Sequence, residues 1–316
     1  MAEPEVKKEN WEKDLLENLA LSSLREQQRA RRWGIFFKLL TFGYLFILLF
    51  VGMGWIEDGK VRIAEKHTAI IDLEGMIVPN GMSSADKINA SLRSAFEDKS
   101  TKGVILRINS PGGSPVQAGH INDEIRRLRA KYPEIPVYAV VSDICASGGY
   151  YVAAAADQIY VDKASLIGSI GVLMDGFGFT GTLEKLGVER RLLTAGENKG
   201  FLDPFSPLDP AQKAHAATLL REIHEQFIHV VKSGRGERLK DAPELYSGIV
   251  WTGQRSIDLG LADALGSADY VAREVIKAET LVDFSPREGL SDVFAKRFSQ
   301  IALNLLSESG GFWTLK

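Results

Sequence analysis

Cysteine is nearly absent: the 316 residues hold one, Cys145. A single thiol excludes an intrachain disulfide and any zinc site built from clustered cysteines. Net charge is also small, −3 with histidine neutral. Such a chain has no whole-molecule field to hold nucleic acid, so no nucleic-acid partner is expected. Histidine is sparse, at five residues. His224 and His229 lie on either side of Glu225, but a spacing of five does not set two ligands on one helical face as a spacing of four does. Asn109-Ser110-Pro111-Gly112-Gly113-Ser114 lacks the Lys-Ser or Lys-Thr of a P-loop. No metal and no cofactor is therefore expected. There is no regular internal repeat and no low-complexity tract.

Apolar residues are plentiful, at 45%, against 25% charged, which suits a globular chain with a sizeable core. The longest apolar run, Gly34 to Ile56, holds 23 residues and one charge, Lys38. A bilayer core takes a helix of about 20 residues, and Trp33 and Trp55 suit the two interfaces. A cleaved signal peptide fits less well, because its apolar region is usually about 7–15 residues and lies nearer the start. Arg25, Arg29, Arg31 and Arg32 precede the run, which predicts a cytoplasmic N-terminus and an exported, periplasmic body. The expected divisions are a poorly ordered segment 1–32, a transmembrane anchor 33–56 that contacts membrane lipid, a linker 57–66, a folded domain 67–285, and an amphipathic helix and tail 286–316.

From His67 onward, short β-branched runs alternate with amphipathic segments. Strands are expected at Thr68–Leu73, Gly75–Val78, Gly103–Ile108, Pro136–Val141, Gln158–Asp162 and Arg190–Leu193. Helices are expected at Ser84–Asp98, Val116–Lys131, Tyr150–Ala156 and Asp209–Lys232, with two shorter ones in Gly253–Ala278 and one at Val293–Leu306. This alternation predicts an α/β fold with parallel crossovers.

Three stretches could carry chemistry. Ala146-Ser147-Gly148-Gly149 falls where a strand gives way to a small-residue helix. A serine there lies near the positive end of a helix, with the Gly148 N–H beside it to stabilise an oxyanion. The plainer reading is an N-cap serine. Asn109 to Ser114 again follows a strand, and its glycines can expose successive N–H groups as an anion nest, or simply form a turn. Thr194 to Pro204 carries Lys199 in a loop. A lysine works as a base only when its amine is held neutral, and the hydroxyls of Ser165 and Ser169 are candidate partners for it. His120 reads as a surface or packing residue, and Cys145 as the end of a buried strand. Asp143 shares a face with Cys145 and Ser147, as a base would have to, only if the strand stays extended and does not turn there. Tyr150, Tyr151 and the run Leu166 to Leu173 are candidates to line a substrate pocket.

Together, Asn109-Ser-Pro-Gly-Gly113, Ala146-Ser147-Gly-Gly-Tyr-Tyr151, Gly168-Ser169-Ile-Gly171 and Gly196-Glu-Asn-Lys199 resemble the signal peptide peptidase A family of Ser-Lys proteases, in its short, single-unit form. The resemblance runs from about Thr68 to Ile276. It implies a Clp protease/crotonase-like spiral of ββα units behind one N-terminal transmembrane helix. It further implies Ser147 as nucleophile, Lys199 as general base, Ser169 orienting the lysine, and the N–H groups of Gly113 and Gly148 as the oxyanion hole. A homo-oligomeric ring in the bacterial inner membrane, acting on hydrophobic peptides such as signal peptide remnants, is implied as well. The alternatives are a quality-control protease of the same family, a crotonase-type acyl-CoA enzyme, and a non-catalytic scaffold.

Overall fold

The computed structural model describes residues 6–52, 65–240 and 242–287. The chain divides into two units, one of residues 1–62 with 288–316 and one of residues 63–287. In the first, a single helix, α1, runs Val6–Gly52. Residues expected to hold little structure are thus helical from Val6 onward. Among the described residues no helix is long and apolar enough to cross a membrane. The transmembrane helix expected over 33–56 is therefore not supported among the described residues, and 53–56 lie outside them, as does the helix expected at Val293–Leu306.

The second unit begins with β1, His67–Glu74, followed by α2, Ala85–Glu97, and β2, Thr101–Ser110. Next come α3, Pro115–Lys131, β3, Val137–Ala146, and α4, Gly148–Ala153. Two short strands follow, β4, Gln158–Val161, and β5, Leu166–Gly168. An extended arm containing α5, Thr180–Lys185, leads to the long α6, Pro210–Arg235. The unit continues through β6, Val250–Thr252, α7, Gly253–Asp258, β7, Ala264–Leu265, α8, Ala268–Tyr270, and β8, Leu281–Asp283, with a π-helical turn, Val271–Ile276, after α8.

The eight strands form one sheet in the order β6-β5-β3-β2-β1-β8, with β4 on β3 and β7 on β4. Only the β5–β6 pairing is antiparallel. The central strands are buried on both faces over most of their length, and for that reason read as apolar runs interrupted near their ends, as by Asp72 in β1 and Arg107 in β2. Ile71, Leu73, Leu106 and Ile108 join one core with Ile88, Leu92, Ile121 and Ile125 of the helices, while Ile70, Ile105 and Val140 join a second with Val271 and Ala272. Helix α2 buries Ala85, Ile88, Leu92, Ala95 and Phe96, the stripe expected from a spacing of three and four. Ser84 precedes it without a side-chain cap; Gln117 of α3 accepts the Ala85 N–H instead, at 2.8 Å. Pro115 and Pro210 open α3 and α6 in the first turn, where a missing N–H costs nothing.

Two expected strands are absent. Gly75–Val78 makes only a bridge, Ile77 to Gly113, because Gly75 turns the chain at φ 72°. Arg190–Leu193 lies on the exposed arm, where it has no strand to pair with.

Candidate active site

The site is built where β2 and β3 end. Their parallel register holds from Val104↔Val137 to Ile108↔Val141 and then shifts, so that Ser110 faces Cys145. Over that step β2 advances 110 − 108 = 2 residues and β3 advances 145 − 141 = 4. Ser142 to Ile144 thus lie opposite Asn109 alone, two residues in surplus, and form a bulge that re-aims the strand end. Asn109 holds this bulge: its Oδ1 accepts the Ile144 N–H at 3.3 Å, and its Nδ2 donates to the Asp143 carboxylate at 3.2 Å. The Ser165 hydroxyl donates to the Ser142 carbonyl at 2.6 Å and accepts the Asp162 N–H at 3.1 Å.

Beyond the bulge the chain enters α4 through Ser147. The residue occupies the N-cap position but makes no capping bond, and its backbone is held at φ 51°, ψ −122°. A serine with positive φ is strained, and the surrounding structure must impose that conformation. Its N–H donates to the Gly168 carbonyl at 2.8 Å and its carbonyl accepts from Tyr151 at 3.0 Å. The N-cap reading fails on this geometry, which leaves the half-buried hydroxyl free of a capping role.

The Pro111-Gly112-Gly113 turn packs directly on Ser147. A Cβ at Gly112 would stand 2.8 Å from the Ser147 Cβ and 2.6 Å from the Gly148 nitrogen, and φ there is 102°. The bridge to Ile77 uses the Gly112 carbonyl and the Ser114 N–H, leaving the Gly113 N–H out of it. That nitrogen lies 3.2 Å from where a Cβ on Gly148 would sit. Gly148 opens α4, so its own N–H has no intrahelical acceptor. Two unengaged N–H groups thus lie beside the serine, the pattern an oxyanion requires.

Ser169 follows β5 and shares the unusual φ of Ser147, 51°. It is half-buried, and among the described residues its hydroxyl makes no hydrogen bond, whereas that of Ser165 is engaged on both sides. Lys199 is exposed in a turn closed by its N–H on the Gly196 carbonyl at 3.1 Å. Among the described residues its amine makes no hydrogen bond or ion pair. The structure therefore gathers Ser147, Gly113, Gly148 and the Gly168-Ser169 turn, and leaves Lys199 on the arm.

Other candidates fall away. Cys145 is fully buried, and burial pushes its thiol up, away from the reactive thiolate. Tyr150 is buried with its hydroxyl on the Leu261 carbonyl at 2.7 Å, so it cannot line a pocket. No histidine bonds to Ser147 among the described residues; His224 sits 3.2 Å from the Ile170 carbonyl. No group of side chains suited to a metal occurs among them either. Sequence reasoning missed Asn109 as the fastener of the bulge, because a register shift leaves no mark in a single strand's pattern. It also missed Trp251, which pairs with Ile167 and packs against Gly168.

The family model Peptidase family S49 matches residues 129–282. A Synechocystis protein provisionally named as a protease is 31% identical over 204 residues, 65% of this chain and 71% of that protein. An Enterococcus faecium protein provisionally named signal peptide peptidase SppA is 29% identical over 254 residues, 77% of this chain and 73% of that protein. A Brucella melitensis protein named Na(+)/H(+) antiporter NhaA is 42% identical over 212 residues, 66% of this chain, which spans only 29% of that relative. The chain belongs to the signal peptide peptidase A family, peptidase family S49.

Proposed function

We propose that the chain is a membrane-anchored serine endopeptidase that cleaves hydrophobic peptides with a Ser147–Lys199 dyad. The observation that carries the reading is the strained, uncapped Ser147 at the strand–helix turn, with the Gly113 and Gly148 N–H groups beside it. Ser147 Oγ attacks the scissile carbonyl while the Lys199 amine takes its proton. The oxygen of the tetrahedral intermediate rests on the two glycine N–H groups. Collapse breaks the C–N bond, and the lysine returns the proton to the leaving amine. Water then attacks the acyl ester with Lys199 again as base, releasing the acid and the free serine. Ser169 offers its hydroxyl to the lysine amine.

A neutral amine needs cover, and Lys199 is exposed in the single chain. The arm that carries it exposes Leu173 at 79%, Phe177 at 80% and Leu193 at 96%, apolar surface of the kind that marks an interface. In this reading further copies of the chain, arranged in a ring, bury the arm and complete each site. The run Gly34–Ile56 anchors the assembly to the inner membrane, with the arginine-flanked N-terminus cytoplasmic and the domain periplasmic. Signal peptide remnants are apolar and are released into that membrane, which makes them the preferred substrate class. A quality-control protease would use the same dyad. A crotonase-type enzyme requires an acidic catalytic group, and Asp143, the carboxylate of the bulge before the serine turn, is held by Asn109.

The test uses the full chain in lipid, a fluorogenic peptide with an apolar P1 residue, and a fluorophosphonate label. Wild type hydrolyses the peptide and is labelled at Ser147, while Ser147→Ala and Lys199→Ala fall to background with unchanged melting. Substantial activity in Lys199→Ala overturns the dyad; an inert, unlabelled wild type overturns the peptidase reading.

A further inference from the structure

Ser110, the last residue of β2, is wholly buried. Its Oγ donates to the Gly75 carbonyl at 2.6 Å and accepts the Gly112 N–H at 3.1 Å. One hydroxyl thereby ties the turn after β1 to the loop after β2. Past Gly112 the loop is fixed again, because the Gly112 carbonyl accepts from Ile77 at 2.9 Å and the Ser114 N–H reaches the Ile77 carbonyl at 2.8 Å. Gly113 lies between these pinned neighbours with its own N–H outside the bridge. On the other side Ser110 meets α4: a Cβ on Gly149 would stand 3.0 Å from the Ser110 carbonyl oxygen, 3.4 Å from its Cβ and 3.6 Å from its Oγ. The same buried serine thus touches both the loop that carries one oxyanion donor and the helical turn that carries the other. Such donors stabilise charge only when their separation is set before the reaction begins.

We infer that Ser110 is a positioning residue of the oxyanion hole, fixing Gly112 and, through it, the Gly113 N–H relative to that of Gly148; this rests on the peptidase reading above. Removing the hydroxyl strands the buried Gly112 N–H, so the loop relaxes toward another partner and carries Gly113 with it. The contact that is lost is one made to charge that develops in the transition state. The transition state is therefore weakened and the ground state is not, which lowers kcat and leaves KM in place.

The experiment compares full-length wild type, Ser110→Ala and Ser110→Thr in lipid. It measures kcat and KM on the fluorogenic peptide, and affinity for a peptide aldehyde and for the matching amide. The aldehyde forms a tetrahedral adduct on Ser147, whereas the amide binds only as a ground state. Expected for Ser110→Ala is a kcat lower by about 10- to 100-fold, a smaller loss than deleting an oxyanion donor outright. KM and amide affinity stay within about twofold, and aldehyde affinity falls by the same factor as kcat. Ser110→Thr, which keeps the hydroxyl, recovers most of kcat. The inference is overturned if Ser110→Ala keeps kcat within about twofold, or if aldehyde and amide affinities fall together. Should Ser110→Ala not fold, Ser110→Cys, nearly isosteric and a weaker hydrogen-bonding group, is read the same way, and wild-type kcat there overturns it. Hydrolysis that survives Ser147→Ala would instead sink the peptidase reading, so the two failures are distinguishable.

Discussion

Around Ser147 every flanking element is packed: Ile108, Cys145, Gly149's neighbour Ser110 and Val152 are wholly buried. Around Lys199 the opposite holds, with Leu173, Phe177, Leu186 and Leu193 all largely exposed on the same arm. Ser147, Gly113 and Gly148, the proposed nucleophile and oxyanion donors, are thus positioned by the core of a single chain, where a strained serine can be held because the sheet and α4 over-determine it. Lys199, the proposed base, sits on a segment that contributes almost nothing to that core. Stability and base placement are separable in this fold, and substitutions in the two regions should report on different things.

The largest expected effect lies where the arm rejoins the packed region. Arg235, at the end of α6, is 1% exposed and donates to both Asp263 oxygens at 2.8 and 2.9 Å and to the Gly260 carbonyl at 2.9 Å. Arg235→Ala leaves a carboxylate in a largely buried setting without its fork partner, which costs about 3–5 kcal/mol. Urea denaturation measures it; a loss under about 1 kcal/mol would mean that water reaches Asp263 and that α6 is not held there.

The same pair fixes a pH dependence. Burial works to raise the Asp263 pKa, but the Arg235 hydrogen bond and charge, the Ile159 N–H and the Arg238 charge outweigh it, and the net shift is downward. A carboxylate with a lowered folded-state pKa contributes stability that is fully present above its unfolded value, about 3.9, and is lost as pH falls through the folded one. Unfolding followed from pH 7 down to about 2 should therefore show an acid-side loss that Asp263→Asn flattens. An unchanged slope in that variant would assign the acid limb to other carboxylates.

A smaller effect on stability, but one on activity, is expected at Gly113. A Cβ there would stand 2.2 Å from the Ile77 carbonyl oxygen, so the loop must move. Gly113→Ala should cost about 1–3 kcal/mol and lower kcat by at least about 10-fold. Gly119, mid-helix in α3 with nothing within 4 Å of an added Cβ, is the control: Gly119→Ala should raise stability by about 0.5–1 kcal/mol and leave kcat alone. Equal kcat losses in both would show that the Gly113 effect is not local.

What the sequence made legible follows from the range of the interactions involved. The helices α2, α3 and α6 rest on local periodicity; α2 and α3 were readable within a residue, and α6 runs three residues past its expected end at Lys232. The central strands β1, β2 and β3 were readable as apolar runs. The serine turn was legible because glycines must flank a close approach, as Gly112 and Gly148 do. Unreadable were features set by pairing between distant segments. The bulge at Ser142–Ile144 exists only against β2, and the Ile77–Gly113 bridge only because Gly75 turns the chain. Arg190–Leu193 shows the converse error: a strand-like pattern with no partner strand stays irregular. That the Ser165 hydroxyl is engaged and the Ser169 hydroxyl is not also needed the structure, since side-chain hydrogen-bond partners leave no mark in the sequence.

The smallest effect on stability should come from the arm itself. Leu193 is 96% exposed and Phe177 80%, so replacing both with serine removes no buried contact of the single chain. Stability in urea should stay within about 0.5 kcal/mol of wild type for each change, as for other surface substitutions. If a second copy covers the arm, the same double variant loses apolar contact at an interface, and sedimentation in detergent should shift toward smaller species. Hydrolysis should fall in proportion to the assembled fraction, because Lys199, the proposed base, then loses the cover that the proposed assembly supplies. Raising the protein concentration should restore part of both, as mass action requires. A double variant that stays assembled and fully active would show that the exposed leucines and phenylalanines do not make the interface, and that Lys199 finds its cover elsewhere.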